Sequence, residues 1–187
     1  MSYFPAFIQL QDKKVLLVGG GNIAYEKLER LLDFTHDIYV IALDLSEKMH
    51  SLMQEHNIKY EQKAYVKGDI KDYCIVVVAV DDISLQKDIF EESKAYKCLC
   101  NAVDSVSYCD FIFPSYIKEG HLTIAISTSG ASPSFAKYFK KYIKNLVPKN
   151  VANFLDEMQG LRETLPKGEE RMKVLDEKTQ EYMKTFT

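Results

Sequence analysis

The sequence predicts an α/β fold, a parallel sheet with helices on both faces, followed by a strand–loop–helix segment and a small helical C-terminal domain. Three observations carry this reading. Short apolar runs alternate with helix-period segments over the first 113 residues. Residues 74–80 (CIVVVAV) form an uninterrupted run rich in β-branched side chains, as in a strand covered on both faces. Three consecutive glycines, Gly19, Gly20 and Gly21, separate the first apolar run from the first helical pattern.

Each element follows in order. Residues 14–18 (KVLLV) make the first strand. Residues 22–34 place Ile23, Lys27, Leu28, Leu31 and Leu32 at helical spacing. A second strand covers 38–43 and a second helix 46–56, with Ser46 as its cap. Residues 58–65 read as a short strand, 74–80 as the fourth strand, 84–96 as a helix and 98–103 as the fifth strand. This alternation needs crossover connections, so the strands pair in parallel.

The pattern changes after Phe113-Pro114. Residues 122–126 form a strand that ends in a polar loop from Ser127 to Pro133. The helix 134–147 carries Phe135, Tyr138, Phe139, Tyr142, Ile143 and Leu146 on one side, as core or interface, and Lys137, Lys140, Lys141 and Lys144 on the other. From Asp156 the tail is helical, with a break near Pro166-Lys167-Gly168. Three parts are expected: residues 1–113, 114–148 and 149–187.

Composition narrows the function classes. The chain has 187 residues and a formal net charge of -3, so it lacks the basic excess that nucleic-acid binding normally leaves. No apolar run reaches the length of a membrane span, and the N-terminus does not read as a signal peptide. The expectation is a cytoplasmic protein with no membrane or nucleic-acid partner. Cys74, Cys98, Cys100 and Cys109 form no C-x-x-C pair and read as reduced, buried thiols. His36, His50, His56 and His121 are scattered, without metal-ligand spacing, so no protein-bound metal is expected.

The chemistry concentrates at strand ends. Residues 18–24 (VGGGNIA) fit G-x-G-x-x-A with Gly19, Gly21 and Ala24. A glycine at 19 permits the tight turn, one at 21 lets the backbone approach a pyrophosphate, and Ala24 keeps the helix close to the sheet. The helix start offers N–H groups and a positive dipole end to phosphates, with Asn22 and Ile23 beside the ligand. This predicts a Rossmann-type dinucleotide site. Leu43 and Asp44 end the second run, 20 residues beyond Ala24, where a carboxylate accepts hydrogen bonds from the adenosine ribose and favours NAD over NADP. Val80, Asp81 and Asp82 stand at the carboxyl end of the fourth strand, where the backbone would line the cofactor site and the aspartates would cap the next helix. Asp104 follows the fifth strand, as a base or a loop cap. Residues 120–155 contain no acid and five lysines, a field suited to an anion. In the loop before the helix, Ser129 or Ser132 would serve as its N-cap.

Together these stretches resemble the precorrin-2 dehydrogenase / sirohydrochlorin ferrochelatase family, the N-terminal module of sirohaem synthase. The resemblance rests on Phe4-Pro5 and Leu10, VGGGNIA followed by Lys27, AVDD at 79–82, NAVD at 101–104, FIFP at 111–114 and ISTSGASP at 126–133, in the family's order over residues 1–150. It implies NAD-dependent oxidation of precorrin-2 to sirohydrochlorin, with ferrous iron inserted by some members to give sirohaem. It places the acid–base aspartate on Asp104 and the substrate loop on Ser127, Thr128, Ser129, Gly130, Ser132 and Pro133, with Lys137 beside it. The macrocycle would then lie between the nicotinamide, Asp104 and that loop. A homodimer formed through the segment after the dinucleotide fold is also implied. Val80 stands where the family has threonine, Gln86 where asparagine is common and Ala102 where valine is common. No methyltransferase module is attached, so a separate chain is expected to make precorrin-2. Two other readings stand beside this one: a chelatase with weak or lost dehydrogenase activity, and an NAD-binding regulatory module without turnover.

Overall fold

The computed structural model describes residues 3–186. They divide into two compact units, Phe4–Ile112, and the residues from Phe113 onward together with Tyr3.

The first unit is a five-stranded parallel sheet. Its strands are β1 (Val15–Val18), β2 (Ile38–Ala42), β3 (Lys59–Gln62), β4 (Ile75–Val78) and β5 (Leu99–Ala102), in the order β3-β2-β1-β4-β5. Helices α1 (Asn22–Leu32), α2 (Glu47–Glu55) and α3 (Ile83–Tyr96) make the connections, apart from the irregular link between β3 and β4. β1 and β4 are buried along their whole length, as expected for central strands with both faces covered. The two-residue pleat period divides their side chains. Leu16, Val18, Val76 and Val78 pack with Ile89 of α3, Cys100 and Ala102 in one cluster. Val15, Leu17 and Val77 are equally buried and alternate with them. α1 packs on α2, while α3 packs on β4 and β5. The strand order reverses between β1 and β4, which brings the crevice of a doubly wound sheet to the carboxyl ends of those two strands.

Sequence and structure agree closely on these elements, with small differences. Ser46 caps α2 by accepting from the Met49 N–H at 3.3 Å. Asp82 caps α3 by accepting from the Leu85 N–H at 3.1 Å. Cys98 and Cys100 are buried, but Cys74 is exposed, contrary to expectation. It precedes β4 at the amino edge of the sheet, outside the covered part of the run.

The second unit opens with a hairpin of β6 (Ser115–Glu119) and β7 (Leu122–Ile126), then three helices, α4 (Pro133–Leu146), α5 (Val151–Thr164) and α6 (Glu169–Met183). β6 was not anticipated, because its sequence SYIKE offers one fully buried side chain, Ile117. The first tail helix starts at Val151, before the expected Asp156. Packing in this unit is sparse. Ala136 is the buried residue of α4, Val151 of α5 and Leu175 of α6. Phe154 stacks on Tyr182 at 3.9 Å between ring centroids, joining α5 to α6. Among the described residues, no helix is long and apolar enough to cross a membrane.

Candidate functional site: a dinucleotide cleft and its acidic end

Strand register builds the site. Val18 pairs with Ile41 and with Val78, and Val78 pairs with Ala102. The loops that follow these four strands therefore leave the sheet along one edge. Between them lies a cleft of about 500 Å³ lined by Gly19, Gly20, Gly21, Asn22, Ile23, Leu43, Asp44, Val80 and Asp81 among others. Of the residues expected to hold the cofactor, only Ala24 does not line it. Ala24 is fully buried at the base of α1, where its small side chain lets helix and sheet approach.

The three glycines play different parts. Gly19 has φ +125°, and a Cβ there would overlap the Ala79 carbonyl. A Cβ on Gly20 would overlap the Asp44 carbonyl and crowd Ala42 and Leu45. Gly20 thus lets the glycine turn pack against the end of β2, and its carbonyl accepts from the Ser46 N–H at 2.9 Å. Gly21 faces open space, with nothing within 4 Å of an added Cβ. It is also the N-cap of α1 and supplies no side-chain acceptor to the helix. The helix start is left open toward the cleft, which is the arrangement a pyrophosphate needs. A passage closed by protein at Gly19 and Gly20 and open at Gly21 fits a dinucleotide. These residues would hold its phosphates, and the nicotinamide would supply a hydride acceptor.

A smaller cleft of about 170 Å³ shares Ile23, Ala79, Val80 and Asp81 with the first and adds Gln86, Val103, Asp104 and Ser105. Asp104 takes φ +61°, the left-handed region that aspartate tolerates better than most residues. Its turn is tied on both sides. The Val103 N–H donates to the Val78 carbonyl at 2.9 Å, and the Tyr108 N–H to the Ser105 carbonyl at 2.8 Å. Gln86, buried on α3, donates from Nε2 to the Val80 carbonyl at 2.6 Å and accepts from the Ser105 hydroxyl. One side chain thus links the loop after β4 to the loop after β5. Half-buried Lys27 on α1 belongs to this neighbourhood. Desolvation, and then Arg30, push its ammonium below the ordinary lysine value, while Glu26, Asp104 and Cys109 pull it back.

At the other end, the cleft is lined by Lys63 and Tyr65, which sequence reasoning missed because they follow an exposed edge strand without a motif. Lys63 pairs with Asp69 at 2.9 Å and Glu61 at 3.1 Å. These bonds hold its ammonium above the usual lysine value. The Tyr65 hydroxyl donates to Glu92 at 2.9 Å, and burial together with that bond raises its pKa.

In the second unit, the loop from Ser127 to Pro133 is folded on its own hydroxyls. Ser127 Oγ accepts from the Ser129 N–H at 3.0 Å, and Thr128 Oγ1 from the Ser132 N–H at 3.1 Å. Ser132, rather than Ser129, caps α4 by accepting from the Phe135 N–H at 3.1 Å. Ser129 and Gly130 both have positive φ, at 50° and 87°. Pro133 opens α4, and Lys137 is exposed at the start of its second turn. Acting as acceptors leaves the hydroxyl protons of Ser127, Thr128 and Ser132 available to an anion.

Residues 6–115 match a family described as "Putative NAD(P)-binding", and residues 119–146 match one described as "Sirohaem biosynthesis protein central". The chain is 33% identical over 156 residues to a sirohaem synthase of Actinobacillus pleuropneumoniae, covering 83% of this chain and 32% of the relative. It is 30% identical over 186 residues to sirohaem synthase 1 of Serratia proteamaculans, covering 100% of this chain and 38% of the relative. It therefore spans about a third of the length of the curated relatives it matches. In fold it matches a solved structure titled "SirC, precorrin-2 dehydrogenase", with a TM-score of 0.80 over 98% of both chains at 23% identity. The glycine turn seen in the fold is therefore the turn of a known lineage, and the chain belongs to the NAD(P)-binding family found in sirohaem synthases.

Proposed function

We propose that the protein oxidises precorrin-2 to sirohydrochlorin, with NAD as hydride acceptor. The observation that carries this is the continuity of the two clefts, which share four residues and bring Asp104 to the end of the dinucleotide cleft away from Asp44. The balance is one hydride to the nicotinamide and one proton to a base for each NAD reduced. Asp104 is the base, and Gln86 with Ser105 holds its turn. Gly19 to Ile23 bind the pyrophosphate, and Asp44 with Leu43 binds the ribose. Val80 and Asp81 flank the nicotinamide. Positioning supplies most of the rate, because hydride transfer needs alignment more than further chemistry from the protein.

The substrate carries eight carboxylates. The hydroxyls of Ser127, Thr128 and Ser132, the backbone at Ser129, Gly130 and Pro133, and the Lys137 ammonium form the surface we assign to them. Each exposed ion pair is worth about 0–1 kcal/mol, so this surface orients more than it grips. Ferrous iron insertion into sirohydrochlorin belongs to the same proposal, with Asp104 receiving pyrrole protons. The protein works as a homodimer. Phe135, Tyr138, Phe139, Tyr142 and Leu146 leave an apolar stripe exposed on α4, and a second copy would cover it. The cytoplasm suits its four unpaired cysteines.

The test is an anaerobic assay of precorrin-2 with and without NAD. Sirohydrochlorin that appears only with NAD supports the dehydrogenase, and metal insertion without NAD turnover supports a chelatase instead. Asp104→Ala should lower turnover at least ~100-fold, the usual worth of a general base. Unchanged turnover in that variant would remove Asp104 from the chemistry.

A further inference from the structure

We propose that discrimination against the 2′-phosphorylated dinucleotide resides in a carboxylate cage around Lys63, and that NADP binding is latent in this chain. The proposal rests on the dinucleotide reading above and adds which charges select the cofactor. Lys63 is the one cation among the residues lining the 500 Å³ cleft. Strand register sets its place. Ala42 pairs with Gln62, and the Gln62 amide donates to the Leu43 carbonyl at 3.0 Å, so Lys63 comes next to the Leu43-Asp44 end of β2. In a sheet of this kind that end meets the adenosine ribose. An ammonium here would ordinarily receive a 2′-phosphate.

Lys63 is already committed. Asp69 Oδ1 and Glu61 Oε2 lie 2.9 and 3.1 Å from its Nζ. Neither carboxylate can easily turn away. Asp69 holds the Val66 N–H at 2.8 Å with its other oxygen, and Glu61 accepts from the Tyr39 hydroxyl at 2.8 Å. The exposed Asp44 carboxylate lines the cleft itself, while Glu61 and Asp69 bind Lys63 from outside the lining and offset its charge. Ribose hydroxyls can donate to Asp44, whereas a phosphate dianion meets the Asp44 charge and an ammonium already offset by two carboxylates. Exclusion of NADP is thus a matter of charge rather than space.

The test compares NAD and NADP titrations of the full chain by calorimetry. The variants are Glu61→Gln with Asp69→Asn, and the same pair with Lys63→Met. Gln at 61 and Asn at 69 keep acceptors for Tyr39 and Val66 while removing both charges. The wild type should prefer NAD. The double variant should shift the NADP-to-NAD affinity ratio about tenfold toward NADP, the gain of one charge-assisted phosphate contact. Lys63→Met should erase that gain, and raised salt should shrink it. If the double variant does not fold, Glu61→Gln alone, on the exposed edge strand, carries the same comparison with a smaller shift. An unchanged ratio, a gain that survives Lys63→Met, or a wild type that binds NADP as well as NAD overturns the proposal. A wild type that binds neither dinucleotide overturns the cofactor reading as a whole.

Discussion

The two units of this chain treat apolar side chains in opposite ways. In Phe4–Ile112, β1 and β4 are wholly buried, and α1 to α3 each bury two or three side chains. In the unit from Phe113 onward, α4 buries Ala136 and leaves Phe135, Tyr138, Phe139 and Tyr142 exposed, although Phe135 stacks on Phe139 at 5.3 Å. Both units have amphipathic sequences. The first completes its own core, and the second keeps an apolar face uncovered. Hydrophobic periodicity reveals that a face will be covered without revealing by what, so the same pattern has different energetic meaning in the two places.

Core truncation should separate the units most sharply. Leu16→Ala, fully buried in β1, should cost about 2–5 kcal/mol in chemical denaturation. Phe139→Ala, on the exposed face of α4, should cost the dilute monomer far less, yet weaken the proposed self-association, measured by sedimentation. Equal losses of monomer stability would break the contrast.

Within the first unit, Gly21→Val tests the open part of the turn. An added Cβ there meets no protein atom within 4 Å, so the melting temperature should fall far less than for the same change at Gly20, while NAD affinity falls at least ~10-fold, measured by calorimetry. Gly20→Val should instead destabilise the fold, because its Cβ collides with the end of β2.

A smaller effect is expected at Gln86. Gln86→Leu removes both the bond to the Val80 carbonyl and the acceptor for Ser105. Losing a buried pair of this kind costs roughly 1–3 kcal/mol in stability, and kcat should fall more than KM rises if Asp104 loses its position.

The gentlest probe is thiol labelling. Burial, the dominant cause, pushes the Cys98 and Cys100 thiols up to about 12, so both stay protonated near neutral pH. Exposed Cys74 should react first with an alkylating reagent, and Cys98 and Cys100 only on unfolding. Because their folded values are raised, the stability they contribute is complete below the unfolded thiol value and is lost as pH climbs toward 12. Rapid labelling of Cys100 in the native state would contradict the packing described for the sheet.

Much of the first unit was legible because its signals are local. β-branched runs gave the strands, and three glycines before a helical pattern gave the turn. The separate duties of those glycines were not legible, since only the fold shows that Gly20 meets Asp44 while Gly21 meets nothing. Lys63 and Tyr65 escaped notice because strand order brings them to the cleft, and order is a long-range property. The Gln86 bridge joins residues 19 positions apart and left no pattern. β6 could have been found from Gly120-His121, a two-residue turn of hairpin length opened by a glycine at φ +58°.

The left-handed backbone of Asp104 carries an evolutionary consequence. Glycine would occupy that turn more comfortably, so Asp104→Gly ought to yield a sturdier molecule that has surrendered its acid. A lineage selected for durability alone would drift toward that exchange, so under the proposed acid–base role this turn is a place where usefulness outweighs robustness.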